Sequence, residues 1–364
     1  MRNRGGVRVR ADAAAKGMMR GLLLACCAAL AVAAGCGPSA DAPREADEAA
    51  EVTEITAAGT AFPNTIGETH WFTFQRKVEK GTQGRFKVRM LVHGQFSEEQ
   101  IAAGLRRGRV QIGNLSATMT STLVPEAAML YAPFLFESEE EADFVYDHFL
   151  TELFTSLLAA QSLHLVSWSE IGFHHIYSVT PVLSPADMRG RRFRVSASEA
   201  SRLFGEALSA DVIPLGFGEI VPSLQTGLIE AGENSLTLYV RTGTSGEAPH
   251  VTLTAHCFGM SVIVADKAWW DSLADADREI IAHAYPSIAE TRRGTREEAQ
   301  HDLENADSFG ITPRWPEQAE RDRWAAAVAH VPEQLARAVG GQSRLVLDTI
   351  AEGKAAFARQ QAAN

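Results

Sequence analysis

The sequence predicts an α/β protein of two lobes, and three observations carry that expectation. Short strands alternate with amphipathic helices from Val52 onward, the pattern of sheets whose parallel strands are buried. Two such sets follow one another along the chain. Once the N-terminal segments are set aside, roughly 310 residues remain, more than a single core usually holds.

The first elements decide the compartment. A basic stretch (Arg2, Arg4, Arg8, Arg10, Lys16, Arg20) runs into the apolar segment from Gly21 to Ala34, the two regions of a secretory signal. That segment is shorter than the roughly 20 residues a membrane-spanning helix needs, so residues 1–35 are expected to be cleaved. A start at Met18 or Met19 would leave a signal of ordinary length. Ala33-Ala34-Gly35-Cys36 resembles the bacterial lipobox, with Ala33 where Leu is usual, and so implies a diacylated Cys36. Of the four cysteines, cleavage leaves Cys36 and Cys257, and Cys257 lies in an apolar run that reads as a buried, inert thiol.

Residues 1–35 carry six basic side chains and one acid, Asp12, so their loss takes the formal net charge from −11 to −16. That acidity, with no remaining Lys/Arg cluster, argues against a nucleic-acid partner. Any cation for an anionic ligand must therefore be placed locally. Residues 36–50 are small and acidic with nothing to bury, and read as a disordered tether.

The folded part opens with a strand over Val52 to Ala57, a helix over Ile66 to Lys80, a strand over Phe86 to Val92 and a helix over Glu98 to Arg106. A third strand covers Gln111 to Leu115 and a long helix Glu139 to Leu158. Leu163 to Ser169 and Phe173 to Val179 read as consecutive strands, and Ser184-Pro-Ala-Asp187 as a capped short helix. Strands at Arg192 to Val195 and Asp211 to Pro214 flank a helix from Ala197 to Leu208. Val251 to Thr254 and Ser261 to Ala265 read as crossing strands. One helical pattern then runs from Asp277 towards Ala306, kinked at Pro286, which lacks an amide donor. These elements divide into lobe I at 51–170, with 257–285 returning to it, lobe II at 171–256, and a long helix with C-terminal helices at 276–364 bracing both.

Met188-Arg-Gly-Arg-Arg-Phe-Arg-Val195, followed by Val212 to Asn234 with its Phe-Gly-Glu, Leu-Gln-Thr-Gly and Glu-Asn, resembles the signature of DctP-type solute-binding subunits of TRAP transporters. Thr82 to Val88, His93-Gly-Gln95, Val124-Pro-Glu126, Ala132 to Phe136, Leu253 to His256 and Ala268 to Leu273 resemble further pieces of the family in the same order. The resemblance implies the two-lobed periplasmic-binding-protein fold, closing on its ligand by hinge motion. It further implies a small organic acid as ligand, no cofactor, and a sodium-coupled TRAP permease as membrane partner. With the lipid at Cys36, the protein would sit at the outer face of a bacterial membrane.

The same resemblance assigns the ligand contacts. Arg194 matches the arginine that pairs with the substrate carboxylate through a bidentate fork, while Arg191 and Arg192 are better placed to pair with protein acids. Asn234 matches an amide that can donate and accept, and Phe217 an aromatic that packs on the ligand's carbon skeleton. His174 stands where many members carry a second arginine, and its charge would depend on pH and surroundings, which favours a monocarboxylate, or a ligand with a hydrogen-bond acceptor in place of a second acid, over a sialic-acid-like or C4-dicarboxylate ligand. Val195-Ser196 replaces the usual Val-Pro, and Glu230-Ala-Gly the usual Asp-Gly-Gln, changing the pocket edge. Gln95, Asn114 and Ser116 from lobe I, and Tyr239 after the Glu-Asn turn, are further candidate contacts.

Two other classes compete. His174 and His175 could suggest a metal-dependent hydrolase, but neighbours on a strand point to opposite faces, and no His-Glu-x-x-His, Gly-x-Ser-x-Gly or Cys/His cluster occurs. His70, His93, His164 and His256 read as cap or core residues. A sensor docking on a membrane receptor would use the same binding fold.

Overall fold

The computed structural model describes residues 52–93 and 95–363. The expected signal, the tether and Cys36 lie outside the described residues.

The chain begins β1 (Thr53–Ala58), α1 (Ile66–Gly81), β2 (Phe86–Leu91), α2 (Glu98–Arg106), β3 (Ile112–Ser116) and α3 (Ala117–Thr120). The local chemistry explains these bounds. Thr65 caps α1 by accepting from the Glu68 amide, and Ser97 with Gln100 forms a reciprocal capping box at α2. A 3-10 turn over Pro125–Tyr131 leads to α4 (Glu139–Val145) and α5 (Thr151–Ala160). The long helix expected there is one helical run, loosened by a π-turn at Tyr146–Leu150.

Next come β4 (Leu163–Ser178), β5 (Arg192–Val195), α6 (Glu199–Ala207), β6 (Asp211–Pro214), α7 (Ile220–Gln225), β7 (Ala231–Ser235), α8 (Leu236–Arg241), α9 (Thr244–Glu247) and β8 (His250–Asp266). Two pairs of expected strands are therefore single long strands. In β4 the gap expected between Ser169 and Phe173 is a bulge between Glu170 and Gly172, where Gly172 takes φ +91°, a value open mainly to glycine.

The end of the chain holds α10 (Lys267–Ser272), α11 (Asp275–Ala282), α12 (Ile288–Glu304), β9 (Thr312–Arg314), α13 (Gln318–Val328), α14 (Val331–Val339) and α15 (Ser343–Ala363). The kinked helix expected from Asp277 is two helices. Pro286 falls in the gap, and Ser287 starts α12 afresh through a capping box with Glu290. Among the described residues no helix is long and apolar enough to cross a membrane.

The strands form one sheet in the order β2-β1-β3-β8-β4-β7-β5-β6, with β9 beside β8. At one end β1 pairs in parallel with β2 and β3, and at the other β5 pairs in parallel with β6 and β7. The antiparallel pair β4–β8 joins the ends, from Leu163 opposite Asp266 to Ser178 opposite His250. Along it, β8 pairs with β3 through Ser261 to Ala265, and β4 pairs with β7 through His174 to Ser178. Two α/β ends thus share two continuous strands, the arrangement of the two-lobed fold. Each end has its own apolar cluster, around Trp71, Phe74 and Ile263 on one side and Tyr177, Ile229 and Tyr239 on the other. Open α/β sheets bind ligands beyond the carboxyl ends of their strands, and here those of β1, β3, β5 and β7 converge.

Candidate ligand-binding cleft

A cavity of about 680 Å³ opens at that convergence. Thr60 and Phe62 reach it from the loop after β1, Glu98 from the start of α2, Ser116 from the end of β3, Arg194 from β5, and Glu233 and Asn234 from β7. Phe62 and Phe217 meet across it with ring centroids 5.6 Å apart.

Arg194 lies between the buried Phe193 and Val195 and is itself 7% exposed. Its Nε and Nη2 donate to the Leu215 carbonyl at 3.1 and 3.0 Å, fixing the plane of the guanidinium. It has no carboxylate partner among the described residues, whereas Arg192 pairs with Glu230 at 3.0 Å and Arg191 donates to Thr180 and to the Asp187 carbonyl. A buried, oriented guanidinium with no acidic partner among the described residues has the geometry to meet a carboxylate in two parallel hydrogen bonds.

Asn234 is 4% exposed, and its Oδ1 accepts from the Ser235 amide at 2.9 Å. That bond fixes the amide orientation and leaves Nδ2 buried without a partner among the described residues. His174, opposite Ser235 in the β4–β7 ladder, lies against Tyr131, whose hydroxyl is hydrogen-bonded to Nδ1. Its Nε2 is buried and has no partner among the described residues. Burial pushes the His174 pKa down to about 3, with Glu233 pulling the other way and His256, His175 and Arg194 reinforcing the fall. The charge expected to vary with pH is therefore absent across the physiological range. Because the Tyr131 hydroxyl can donate to or accept from Nδ1, Nε2 can meet either a ligand acceptor or a ligand donor. Gly259 preserves the approach, since a Cβ there would sit 2.7 Å from His174 Nε2.

The other expected contacts divide. Phe217 and Ser116 line the cavity, although the Ser116 amide and hydroxyl both donate to Glu98, at 2.6 and 2.9 Å. Gln95 is exposed and outside the lining. Tyr239 is 1% exposed, and its hydroxyl donates to the Ala248 carbonyl at 2.7 Å while its ring stacks on Tyr177, so it is a core residue and not a contact in this cavity. Asn114 lines a smaller neighbouring cavity instead.

Sequence reasoning missed Tyr131, Glu98 and Glu233 as lining residues. Glu233 was signalled by the Glu-Asn pair, where attention went to the amide. Its carboxylate accepts from His256 Nε2 at 2.8 Å and from the Ser201 hydroxyl. Burial works to raise the Glu233 pKa, but these bonds and the nearby histidines hold it below the ordinary value. Glu98 moves the other way: burial is the chief cause of its rise, against the Ser116 bonds and the Arg194 charge. Glu233, His256 and Cys257 bring possible metal-ligand atoms within 4.8 Å of one another. Each is already engaged, with Cys257 Sγ donating to the Tyr131 carbonyl at 3.3 Å and burial pushing its thiol well up. His174 and His175 part as strand neighbours should, His175 accepting from the Ala255 amide at 3.1 Å.

Two α/β ends joined by two shared strands, with a guanidinium and an amide nitrogen buried at their cavity without an acidic or acceptor side-chain partner among the described residues, define a two-lobed ligand-binding protein. Residues 58–338 match the DctP family, bacterial extracellular solute-binding protein family 7, and the chain belongs to it. It is thus a DctP-type solute-binding subunit of the TRAP transporters. A solute-binding protein of Chromohalobacter salexigens is 27% identical over 228 residues, 62% of this chain and 68% of the relative. The ectoine-binding periplasmic protein TeaA of Halomonas elongata is 25% identical over 272 residues, 72% of this chain and 79% of the relative. Among solved structures, the sugar acid binding protein DctPAm of Advenella mimigardefordensis, in complex with galactonate, matches with a TM-score of 0.78. It is 24% identical and spans 83% of this chain and 99% of that one.

Proposed function

We propose that this chain captures a small organic acid bearing one carboxylate in the cleft and delivers it to the membrane subunits of a TRAP transporter. The observation that carries this reading is Arg194, buried and oriented by Leu215 with no carboxylate partner among the described residues. Asn234 Nδ2 adds a donor for the same carboxylate. Neutral His174 offers a hydrogen bond where a second carboxylate would require a cation. Similar proteins are named for ectoine, galactonate, succinate and C4-dicarboxylates, which supports a small organic acid, while the restriction to one carboxylate rests on Arg194 and neutral His174.

In this reading lobe I comprises residues 51–170 and 257–285, lobe II residues 171–256, and β4 and β8 are the hinge. The protein binds and releases without chemistry on the ligand. It is held at the outer face of a bacterial membrane by a lipid on Cys36, through a tether over 36–50.

The test is titration calorimetry with a monocarboxylate that binds the wild type, repeated on Arg194→Ala. Removing one partner of a buried charge-assisted pair costs about 2–5 kcal/mol, so affinity should fall by roughly 30-fold or more while the unliganded melting temperature changes little. Unchanged affinity would remove Arg194 from the site and with it the carboxylate reading.

A further inference from the structure

Away from Arg194 the wall of the main cavity is built from apolar side chains. Phe62 comes from the loop after β1, Phe96 precedes α2, Ile171 sits on β4, Phe217 follows β6 and Leu238 lies on α8. All five are half-buried, so each keeps accessible surface, and Phe62 and Phe217 are the two rings that meet across the cavity. Ile171 is brought there by the bulge: the register shift between Glu170 and Gly172 leaves it as the extra residue of β4, and bulges re-aim side chains in this way.

Several polar groups of the same wall are already committed. Ser116 donates its hydroxyl to Glu98 at 2.9 Å, so the Thr118 hydroxyl, 2.8 Å from Ser116 Oγ, is the donor in that second bond. Neither proton is left for a ligand. The Glu219 carboxylate accepts from the Gly216 amide at 2.8 Å, and Glu233 accepts from His256 and Ser201. A hydroxyl that leaves water for a wall of this kind gives up hydrogen bonds it does not regain, whereas an apolar body gains by covering the exposed parts of the rings. The space suits such a body. Cavities of roughly 300–1,000 Å³ take ligands of drug size, and one of about 680 Å³ has room beyond the carboxylate and its neighbouring carbons.

We infer that the ligand is a monocarboxylate with an apolar chain or ring, its acid group at Arg194 and its body against Phe62, Phe96, Ile171, Phe217 and Leu238, and not a sugar acid. This rests on the organic-acid reading above and names the class of acid. The experiment is calorimetry on the wild type with propionate, butyrate, pentanoate and hexanoate. Two further probes share the six carbons of hexanoate: galactonate, hydroxylated along its chain, and hexanamide, which lacks the charge. Phe62→Ala and Ile171→Thr, the latter keeping the branch at Cβ, are measured beside the wild type, and the unliganded melting temperature checks the fold of both.

Each added methylene should tighten binding about fourfold, and hexanoate should bind more tightly than galactonate. Each variant should weaken hexanoate about tenfold while leaving propionate within twofold. Affinity that is flat along the series, or tighter binding of galactonate than of hexanoate, would overturn the apolar body and leave the acid reading standing. Equal losses for hexanoate and propionate in both variants, or no loss in either, would overturn it as well, as would failure of every acid to bind. Hexanamide binding as tightly as hexanoate would defeat the acid reading alone.

Discussion

His174 is where the cleft departs most from a site built for two acids, and its physics is set by burial. Its folded pKa, about 3, lies below the ordinary 6.5, so the unfolded chain takes up the proton first as pH falls. Stability from this group is full above pH 6.5 and is lost as pH drops towards 3. Between pH 7 and 5 the loss should be about 2 kcal/mol, and His174→Gln should lack that part of the slope. Denaturant unfolding of both proteins at the two pH values measures it, and parallel slopes would mean that His174 is protonated inside the fold. At this scale the placement of Arg194, Asn234 and Phe217 in the cavity lining was legible because they sit in a long motif of fixed spacing. Tyr131 was not, since the Val-Pro-Glu to Pro-Phe-Leu-Phe stretch gives no sign that its 3-10 turn brings a hydroxyl to His174. Tyr239 was misplaced for the same kind of reason: α8 turns it away from the cleft towards Ala248 and Tyr177.

Among the elements, α12 ties distant parts of the chain together through its arginines. Arg292 forms a bidentate pair with Asp147, and Arg296 bridges Asp143 after α4 begins and Glu170 on β4, at 2.7 and 2.6 Å. Burial is the main reason the Glu170 pKa rises to about 7, with Arg296 opposing. Removing the guanidinium in Arg296→Met leaves Glu170 buried and unpaired, and its pKa should climb further. A carboxyl whose folded pKa is raised contributes stability at low pH and loses it as pH rises. The variant should therefore lose about 3–5 kcal/mol at pH 8 and much less at pH 5.5, read by chemical unfolding at each pH. A loss equal at both would show that Arg296 acts by packing alone. The strands and short helices around these ties were readable from alternation and capping residues. The division of α11 from α12 was also written in the sequence, as Ser287-x-x-Glu290 directly after Pro286, but periodicity across the gap masked it. The union of β4 into one strand was hidden by the bulge at Glu170–Gly172, which interrupts the alternation between Ser169 and Phe173.

For the whole molecule, the two-lobed plan followed from chain length and from two successive α/β sets, and the sheet shows how the plan is executed. Among the described strands only β4 and β8 run unbroken between the two ends, and the register shifts in their pairing are where a hinge between the ends would bend. The Phe62–Phe217 contact spans the mouth, so the conformation described has its two ends touching over the ligand cavity. A ligand that bridges Arg194 on one side and the β1 and β3 loops on the other gains contacts only in this form and thereby favours closure. What the sequence could not show was the volume between the lobes, because cavities arise from the relative placement of distant segments.

The most direct test of that account is a thermal-shift screen of residues 52–364 at pH 6 and pH 8 against monocarboxylates, dicarboxylates and neutral solutes, since a ligand that binds only the folded state raises the melting temperature by mass action. Monocarboxylates should stabilise the protein at both pH values with the same rank order, because burial keeps His174 neutral throughout. Stabilisation by neutral solutes alone, or a preference for dicarboxylates that appears at pH 6, would contradict it.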